Sequence, residues 1–334
     1  MSMKVIRPGL LTSMQDLGRY GFQKYGVIVS GAMDTMSLRI ANLLVGNEEG
    51  EAALEITLMG PSLEIEEDSL IAITGGDLSP TIAGEEVPLW RPVYVKKGSV
   101  LQFGRCGTGF RSYLAIAGGF VVKEVMGSKS TYLRGGIGGY DGRALKAGDV
   151  LPYNKVSQDT SHFYSHFGKE VDDRLLDIAP WGVNLDHFLP LKAKSFIRVI
   201  HGGEFDRFTS SSQRQFFEQE FEITPKSDRM GYRLSGKNLQ LEQSFELISE
   251  SVSHGTIQVP QDGNPIILLA DRQTAGGYPK IAQIITVDLP RVAQLKPGEK
   301  IRFEEVTLEE AEQLYLKQEQ QVEELKVGLL FKRK

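Results

Sequence analysis

The amino-acid sequence predicts a mainly β protein, and three observations carry that prediction. Short apolar segments of strand length recur along the whole chain, and β-branched residues are frequent in them. Gly, Pro, Asp or Asn bound the segments, and glycine-rich turns such as residues 135–139 separate them. Glycine supplies 36 of the 334 residues, above the usual share of about 7%. The predicted strands, in chain order, are Leu63–Ile65, Ser69–Thr74, Pro92–Val95, Val100–Phe103, Ser112–Ala117, Phe196–Ile200, Phe245–Ile248, Thr256–Val259, Pro265–Ala270, Ile281–Val287 and Lys300–Phe303.

Few segments have helical periodicity. The first predicted helix lies within residues 34–47, where apolar residues share one face and Asp34 is in position to cap the N-terminus. A second covers Glu204 to Phe221, with phenylalanines as its apolar anchors. A third begins at Thr307 with a capping box and runs to about residue 325. The last segment, 328–334, is predicted to be a terminal strand or a frayed end.

Composition excludes several classes of protein. The formal net charge is −5, and a mildly acidic chain does not supply the concentrated Lys and Arg that a nucleic-acid surface needs. The one cysteine, Cys106, rules out an intramolecular disulfide framework and is interpreted as a structural thiol. The N-terminus does not resemble a signal peptide, and apolar runs such as Ile266–Ala270 are far shorter than the roughly 20 residues of a membrane span. We therefore expect a cytoplasmic globular protein that binds neither nucleic acid nor membrane.

A repeated pattern indicates two related halves. The form Lys-x-Gly-x-x-Leu/Ile-x-aromatic occurs at residues 96–103, 146–153 and 296–303, each time as a turn that leads into a strand. The predicted domains are an N-terminal β-rich domain, 1–195, and a C-terminal domain, 196–334, which ends in a helix and tail. The polar stretch 154–173 lies near the predicted junction.

Several well-known chemical motifs are missing. Residues 127–131 lack the Gly-Lys pair of a P-loop, and residues 136–141 fail the last position of the Gly-x-Gly-x-x-Gly pattern. His162 and His166 are four residues apart, but no His-Glu-x-x-His motif accompanies them, so no metal site is predicted. No Gly-x-Ser-x-Gly elbow is present.

The densest group of polar residues lies directly after one of the predicted strands, at residues 271–274. A buried strand that ends there presents polar side chains from a fixed scaffold, and Gly276 and Gly277 allow a ligand to approach the backbone closely. We interpret Asp271 as an acid/base or an orienting carboxylate, and Lys280 as the partner of an anion. The residues interpreted as donors to an amide or carboxylate are Gln258, Gln273 and Thr274. A plain hairpin, capped by Asp271, explains the same pattern.

Two further groups are candidates for anion binding. Arg229 can form a forked pair with a carboxylate or phosphate, although a simple ion pair with Asp228 explains it equally well. Arg19 and Asp34 flank the start of the first predicted helix, where free N–H groups attract anions. Helix capping by Asp34 is the alternative interpretation.

An ordered set of segments resembles a known family. Residues 7–19, 31–47, 54–61, 227–231 and 255–281 resemble the KipA / PxpC family of 5-oxoprolinase subunits, also described as allophanate hydrolase subunit 2 or as biotin-dependent carboxyltransferase-like. The resemblance runs from about Met3 to Val306. It implies tandem cyclophilin-like β-barrel domains, in agreement with the strand-rich pattern.

The resemblance also implies an activity and its partners. Members act with KipI/PxpB-like and PxpA-like subunits in an assembly that uses ATP to open 5-oxo-L-proline, a lactam, to L-glutamate. The residues expected to be catalytic are Asp271, Lys280 and Arg229, and those expected to bind substrate are Gln258, Gln273, Thr274, Gly276, Gly277, Tyr278, Arg19 and Asp34. Whether ATP binds this chain or a partner stays open at this point.

Two alternatives follow from the same resemblance. Some members resemble regulators that sequester a KipI-type inhibitor of a histidine kinase, and such a protein is a binding module rather than an enzyme. Others resemble the carboxyltransferase part of a biotin-dependent amide or urea carboxylase. This chain lacks a biotinyl-lysine sequence of the Met-Lys-Met type, so biotin is expected only under this alternative and only on a separate carrier.

Overall fold

The computed structural model describes residues 1–156, 174–191, 196–243 and 247–332, and the chain divides into two compact units. The first unit comprises Met1–Arg19, Asp34–Leu191 and Gln321–Lys334, and the second comprises Tyr20–Met33 and Lys192–Gln320. Some sequence-based predictions lie outside the described residues: the junction at residue 195, most of the polar stretch 154–173, the pair His162 and His166, and the first part of the strand predicted from Phe245.

The described strands of the first unit form two six-stranded sheets, with strand orders β11-β1-β4-β9-β6-β7 and β12-β8-β5-β10-β3-β2. The strands are β1 (Ser2–Arg7), β2 (Leu11–Gln15), β3 (Ala53–Thr57), β4 (Ser62–Ile65), β5 (Ser69–Asp77), β6 (Thr81–Ile82), β7 (Glu85–Glu86), β8 (Pro92–Val95), β9 (Val100–Gln102), β10 (Thr108–Ile116), β11 (Val150–Pro152) and β12 (Leu176–Ile178). The described helices that lie wholly in this unit are α1 (Thr35–Leu44) and α2 (Leu185–Phe188).

Strand alternation gives the second of these sheets two different faces. In β3, Leu54 and Ile56 lie in the apolar core of the unit, whereas Glu55 lies on the opposite face. The antiparallel register places Tyr113 of β10 beside Glu55, and the phenol donates a hydrogen bond of 2.7 Å to its carboxylate. Helix α1 packs on β5 and β10. The buried carboxylate of Asp34 accepts from the backbone N–H of Ser37 at 2.8 Å, which confirms the predicted N-cap.

The second unit contains a closed barrel of seven described strands, in the order β13-β20-β17-β18-β15-β14-β21, and a separate two-stranded pair, β16-β19. The strands are β13 (Phe196–His201), β14 (Phe221–Ile223), β15 (Gly231–Ser235), β16 (Glu250–Ser251), β17 (Thr256–Gln258), β18 (Ile266–Leu268), β19 (Ala275–Gly276), β20 (Lys280–Ile284) and β21 (Lys300–Glu305). The helices that follow α2 in the chain are α3 (Ser210–Glu218), α4 (Leu289–Ala293) and α5 (Leu308–Lys332). The residues of α5 from 321 onward belong to the first unit.

Aromatic packing fills the interior of the barrel and explains why α3 is shorter than predicted. Phe216 of α3 stacks on Phe303 of β21 with ring centroids 4.6 Å apart, and both side chains are fully buried. Phe221, predicted to end the helix, begins β14 instead and packs against the same ring. Each aromatic pair of this kind stabilises a fold by about 0.5–1.5 kcal/mol beyond area burial. The regular spacing of the phenylalanines therefore marks core anchors on two kinds of element rather than one long helix.

The prediction of a mainly β protein is confirmed, and the third predicted helix is confirmed with a different end. Thr307 and Glu310 form the capping box, with reciprocal hydrogen bonds of 2.8 and 3.1 Å. The predicted strand or frayed end after residue 328 is wrong as far as Lys332, because the helix continues that far. Val322 and Leu329, seven residues apart and both buried, give this part of the helix a packed face.

Among the described residues, none of the helices combines the length and the apolar character needed to cross a bilayer.

Candidate functional site

The strand register of the barrel places the predicted site residues in two clusters. Both β15 and β17 run antiparallel to β18: Gly231 pairs with Leu268, and Gln258 pairs with Ile266. The residues just before β15 and just after β18 therefore meet at one end of β18. The end of β17 and the start of β20 meet at its other end, where Gln258 pairs with Lys280. The segment that joins residues 271 and 280 runs from one cluster to the other.

The first cluster, which we call the arginine cluster, is built on a buried ion pair. Arg229 donates to both carboxylate oxygens of Asp271, from Nε at 3.0 Å and from Nη2 at 3.1 Å. Its Nη2 also donates to the carbonyl of Gly31 at 2.6 Å. The side chains of Arg229 and Asp271 are only 5% and 8% exposed. The pairing of β15 with β18 continues into the backbone here, where the N–H of Asp271 donates to the carbonyl of Arg229 at 2.9 Å. The observed partner of Arg229 is thus Asp271.

Arg272 and His254 complete the arginine cluster. Arg272 donates to the carbonyls of Val252 and Leu269, each at 3.3 Å, and burial lowers the pKa of its guanidinium. Burial also lowers the pKa of His254 to about 3, and the charges of Arg272 and Arg229 add to that effect. The imidazole is therefore neutral at pH 7. The sequence analysis assigned no role to Arg272 or to His254. The usable signal was Arg272 itself, a cation directly after a buried strand.

The second cluster, which we call the lysine cluster, surrounds the side chain of Lys280. Its Nζ lies 2.5 Å from Oε2 of Glu250 and 3.7 Å from Oε1 of Glu204. Glu204 also accepts from the backbone N–H of Lys280 at 2.8 Å. The hydrogen bond from Glu250 and the charge of Glu204 raise the pKa of Lys280, so the amine stays protonated at neutral pH. Glu204 is 15% exposed and Glu250 is 55% exposed, so the two carboxylates differ in how easily another anion replaces them.

Gln258 connects the lysine cluster to the glycine pair. Its side chain is 4% exposed, and its Nε2 donates to the carbonyl of Tyr278 at 3.1 Å. A Cβ atom at Gly276 would lie 2.7 Å from that Nε2 and 3.0 Å from Oε1. Gly276 is therefore required because the amide of Gln258 occupies the space of a side chain. At Gly277 the nearest atoms to such a Cβ are a carbonyl oxygen and a hydroxyl at 3.3 and 3.4 Å, so that position is less crowded.

Replacing Gly276 by Ala should displace the amide of Gln258 and lower the free energy of unfolding by about 1–3 kcal/mol, the usual cost of overpacking. Urea unfolding followed by circular dichroism measures this change. Gly277→Ala is the matched control and should cost less than half as much. The double variant Gly276→Ala/Gln258→Ala should recover part of the loss, because truncation of Gln258 removes the clash. An equal effect at the two glycines would contradict this explanation.

The remaining predicted residues of the joining segment lie at its surface. Gln273 is exposed, Tyr278 is 48% exposed, and Thr274 is half-buried. The carbonyl of Thr274 accepts from the backbone N–H of Val252, next to the β16-β19 pair. These side chains are thus placed between the two clusters rather than within either.

Arg19 and Asp34 belong to the first unit, where each holds local structure. Arg19 is fully buried and donates to the carbonyls of Val125 and Ser130, both at 2.9 Å. A Cβ atom at Gly138 would lie 2.6 Å from Nη2 of Arg19, so the glycine-rich turn packs directly on this guanidinium. Asp34 caps α1, as described above. The structure thus places both residues in the interior of the first unit.

Comparison with known proteins places this architecture among carboxyltransferase domains. The family model of the carboxyltransferase domain, subdomain A and B, matches residues 25–305. The chain is 41% identical to the PxpC subunit of the 5-oxoprolinase of Escherichia coli over 319 residues, which are 96% of this chain and 95% of that protein. It is 37% identical to the corresponding 5-oxoprolinase subunit of Haemophilus influenzae, over 92% of each chain.

Urea-processing proteins match over a smaller share of their length. The crystal structure of the Kluyveromyces lactis urea carboxylase superposes with a TM-score of 0.86 at 33% identity, covering 97% of this chain and 29% of that one. The urea amidolyase of Saccharomyces cerevisiae is 33% identical over 94% of this chain and 17% of its own length. The chain thus spans less than a third of these larger proteins.

Proposed function

This chain belongs to the family of the carboxyltransferase domain, subdomain A and B, and from that membership we propose that it is a subunit of an ATP-dependent 5-oxoprolinase that opens 5-oxo-L-proline to L-glutamate. One observation carries the proposal: the match to the two bacterial 5-oxoprolinase subunits extends over more than nine-tenths of both proteins. The match to urea amidolyases covers only a fragment of those enzymes. We propose KipI/PxpB-like and PxpA-like subunits as the partners.

The chemistry of the lactam sets what the complex must provide. The ring amide is a poor electrophile, and ATP, when bound in the complex, supplies a phosphoryl group that makes the lactam carbon open to attack by water. In the net reaction the carbon–nitrogen bond breaks, water supplies the new carboxylate oxygen, the ring nitrogen becomes the amine, and ATP becomes ADP and phosphate. Such a site needs cationic or N–H donors for oxyanions and a group that transfers protons. The chain lacks a Gly-x4-Gly-Lys-Ser/Thr sequence, so no step is assigned to a nucleotide site on it.

We propose that Lys280 is the residue of this chain that meets an oxyanion of the substrate. Its ammonium is protonated and therefore acts as a donor, not as a base. Glu204 fixes its position through both the backbone N–H and Nζ, while the exposed Glu250 is the carboxylate that a substrate anion can replace. Asp271 takes the orienting role: both its oxygens bind Arg229, and it is the buried counterion of that guanidinium.

Reconstitution tests the proposed function. The chain is mixed with its KipI/PxpB-like and PxpA-like partners, and ATP-dependent release of glutamate from 5-oxoproline is measured with each component omitted in turn. We expect turnover only when all three proteins and ATP are present. An assembled complex of folded subunits that releases no glutamate would overturn the proposal, and capture of the KipI-like protein without turnover would then favour the regulatory alternative.

Replacing Lys280 by Gln should lower kcat/KM of the reconstituted complex for 5-oxoproline by about 10²-fold or more, the usual scale for loss of an oxyanion donor. The matched control is Lys300→Gln, since Lys300 is a 63% exposed lysine of the same unit that pairs with a surface glutamate. That control should leave kcat/KM within about twofold. Equal, small effects of both substitutions would remove Lys280 from the proposed machinery.

Biotin-dependent carboxyl transfer is the second candidate function. The observation that favours it is the match to the carboxyltransferase family model together with the superposition on urea carboxylase. Under this alternative a separate carrier brings carboxybiotin, and the acceptor is an amide or urea. Carboxylation of such an acceptor by a mixture of this chain, its partner and a biotinylated carrier, without ATP-dependent opening of 5-oxoproline, would replace the first proposal by this one.

A further inference from the structure

Arg272 differs from the other arginines that lie in the interior of the second unit. Arg229 forms a forked ion pair with Asp271, and Arg198 forms one with Asp288 at 2.6 and 3.0 Å. Within the described part of the chain, Arg272 forms no ion pair with a carboxylate, and its hydrogen bonds go to two backbone carbonyls. A cation that is removed from water without a counterion is costly for a fold. The arrangement therefore favours an anion that comes from outside the chain.

The surroundings of Arg272 suit a small anionic ligand. Its bonds to Val252 and Leu269 use Nε and Nη1 at 3.3 Å, so neither is short and the outer nitrogen Nη2 takes part in neither. The neutral imidazole of His254 lies within the electrostatic reach of Arg272, and its buried Nε2 has no hydrogen-bond partner among the described residues. The nearby Tyr20 is 65% exposed, so the cluster is close to solvent on that side.

We propose that Arg272 binds the carboxylate of the lactam substrate and thereby selects a carboxylated lactam over an uncharged one. This inference rests on the proposed function and adds to it the residue that recognises the acid group. A guanidinium recognises a carboxylate with parallel N–H···O bonds and is always charged at physiological pH. A site that binds a charged group in this way discriminates strongly against the analogue that lacks it, because the arginine is then left without its counterion.

The test compares two ligands that differ by the carboxylate alone: 5-oxoproline and 2-pyrrolidinone. Their dissociation constants are measured by calorimetry for the complex that contains the full-length chain, as wild type and as Arg272→Met. We expect the substitution to weaken binding of 5-oxoproline by about 10²-fold, to raise its KM more than it lowers kcat, and to leave binding of 2-pyrrolidinone within about twofold. Arg272→Lys keeps the charge without the fork and should lie between the two.

Arg214→Met is the matched control, since Arg214 is an exposed arginine on α3 of the same unit. It changes the net charge equally and should leave both dissociation constants unchanged. Hydrogen exchange of the barrel strands establishes that each variant is folded, and Arg272→Lys carries the test if Arg272→Met does not fold. Equal weakening of both ligands, or no weakening of 5-oxoproline, would overturn the assignment of Arg272.

Binding and turnover separate the two proposals. Selective loss of 5-oxoproline binding in a complex that shows no ATP-dependent turnover would sustain the role of Arg272 and reject the enzymatic proposal. Turnover that is lost without any change in the preference for the carboxylated ligand would do the reverse.

Discussion

Replacing Arg229 by Met should lower the free energy of unfolding of the second unit by about 3–5 kcal/mol. The substitution leaves Asp271, 8% exposed, as a buried carboxylate whose two hydrogen bonds from the guanidinium are gone. Asp271→Ala should cost a similar amount, since it leaves a buried guanidinium that retains the bond to the carbonyl of Gly31.

The double variant Arg229→Met/Asp271→Leu distinguishes this explanation from a simple loss of packing. When both charges are removed together, no uncompensated ion remains, so the double variant should be more stable than the sum of the single effects predicts, by at least about 2 kcal/mol. Losses that simply add would show that the pair does not act as one unit.

The readout must report on the correct unit. Both tryptophans of the chain, Trp90 and Trp181, belong to the first unit, so tryptophan fluorescence follows that unit. Hydrogen exchange of the amides in β15 and β18 follows the barrel that Arg229 and Asp271 stabilise. We expect faster exchange in these strands with an unchanged fluorescence transition.

This ion pair also decides how activity data on the site are interpreted. A loss of activity in Asp271→Ala does not separate a catalytic role from unfolding of the cluster. Asp271→Asn and Arg229→Lys keep the size and one donor or acceptor each, and their folded state can be verified by the same exchange measurement. Activity that falls in these variants while exchange is unchanged would assign the pair a direct role in the reaction.

The sequence predicted the strands of the barrel well, since each has a clear apolar run bounded by turn residues. Strand β1 was missed because only Met3 and Val5 of its residues are fully buried, which gives too short an alternation to detect. Strand β3 was missed because it carries Glu55 at its centre. The partner that allows this carboxylate to be buried, Tyr113, lies 58 residues away.

The candidate site was predicted by residue type but not by arrangement. Asp271 and Lys280 are nine positions apart and were interpreted as one constellation. The antiparallel register of β17 and β18 instead places them at opposite ends of β18. The partners of Lys280, Glu204 and Glu250, are 76 and 30 residues away in the chain, so only the closed barrel brings them together.

Lowering the pH from 7 to 4.5 should destabilise the second unit through His254. The pKa of this imidazole is about 3 in the folded chain, because burial and the charges of Arg272 and Arg229 disfavour the protonated form. In the unfolded chain the ordinary value of about 6.5 applies. Between these two values the unfolded state binds one more proton than the folded state at this residue. The free energy of unfolding therefore falls by about 1.4 kcal/mol for each pH unit in this window, a loss of about 2.7 kcal/mol at pH 4.5.

The difference between wild type and His254→Gln isolates this contribution, since all other titrating groups are shared. Hydrogen exchange of the amides in β17 and β20, measured at pH 7 and 4.5 and corrected for the intrinsic exchange rate, gives the free energy of opening of the barrel at each pH. Wild type should lose about 2–3 kcal/mol more than His254→Gln between the two pH values. His187→Gln, a change at an exposed histidine, should behave as wild type. If His254→Gln retained the full pH dependence of the wild type, the buried imidazole would not be its source, because the proton that the unfolded state takes up would then bind elsewhere.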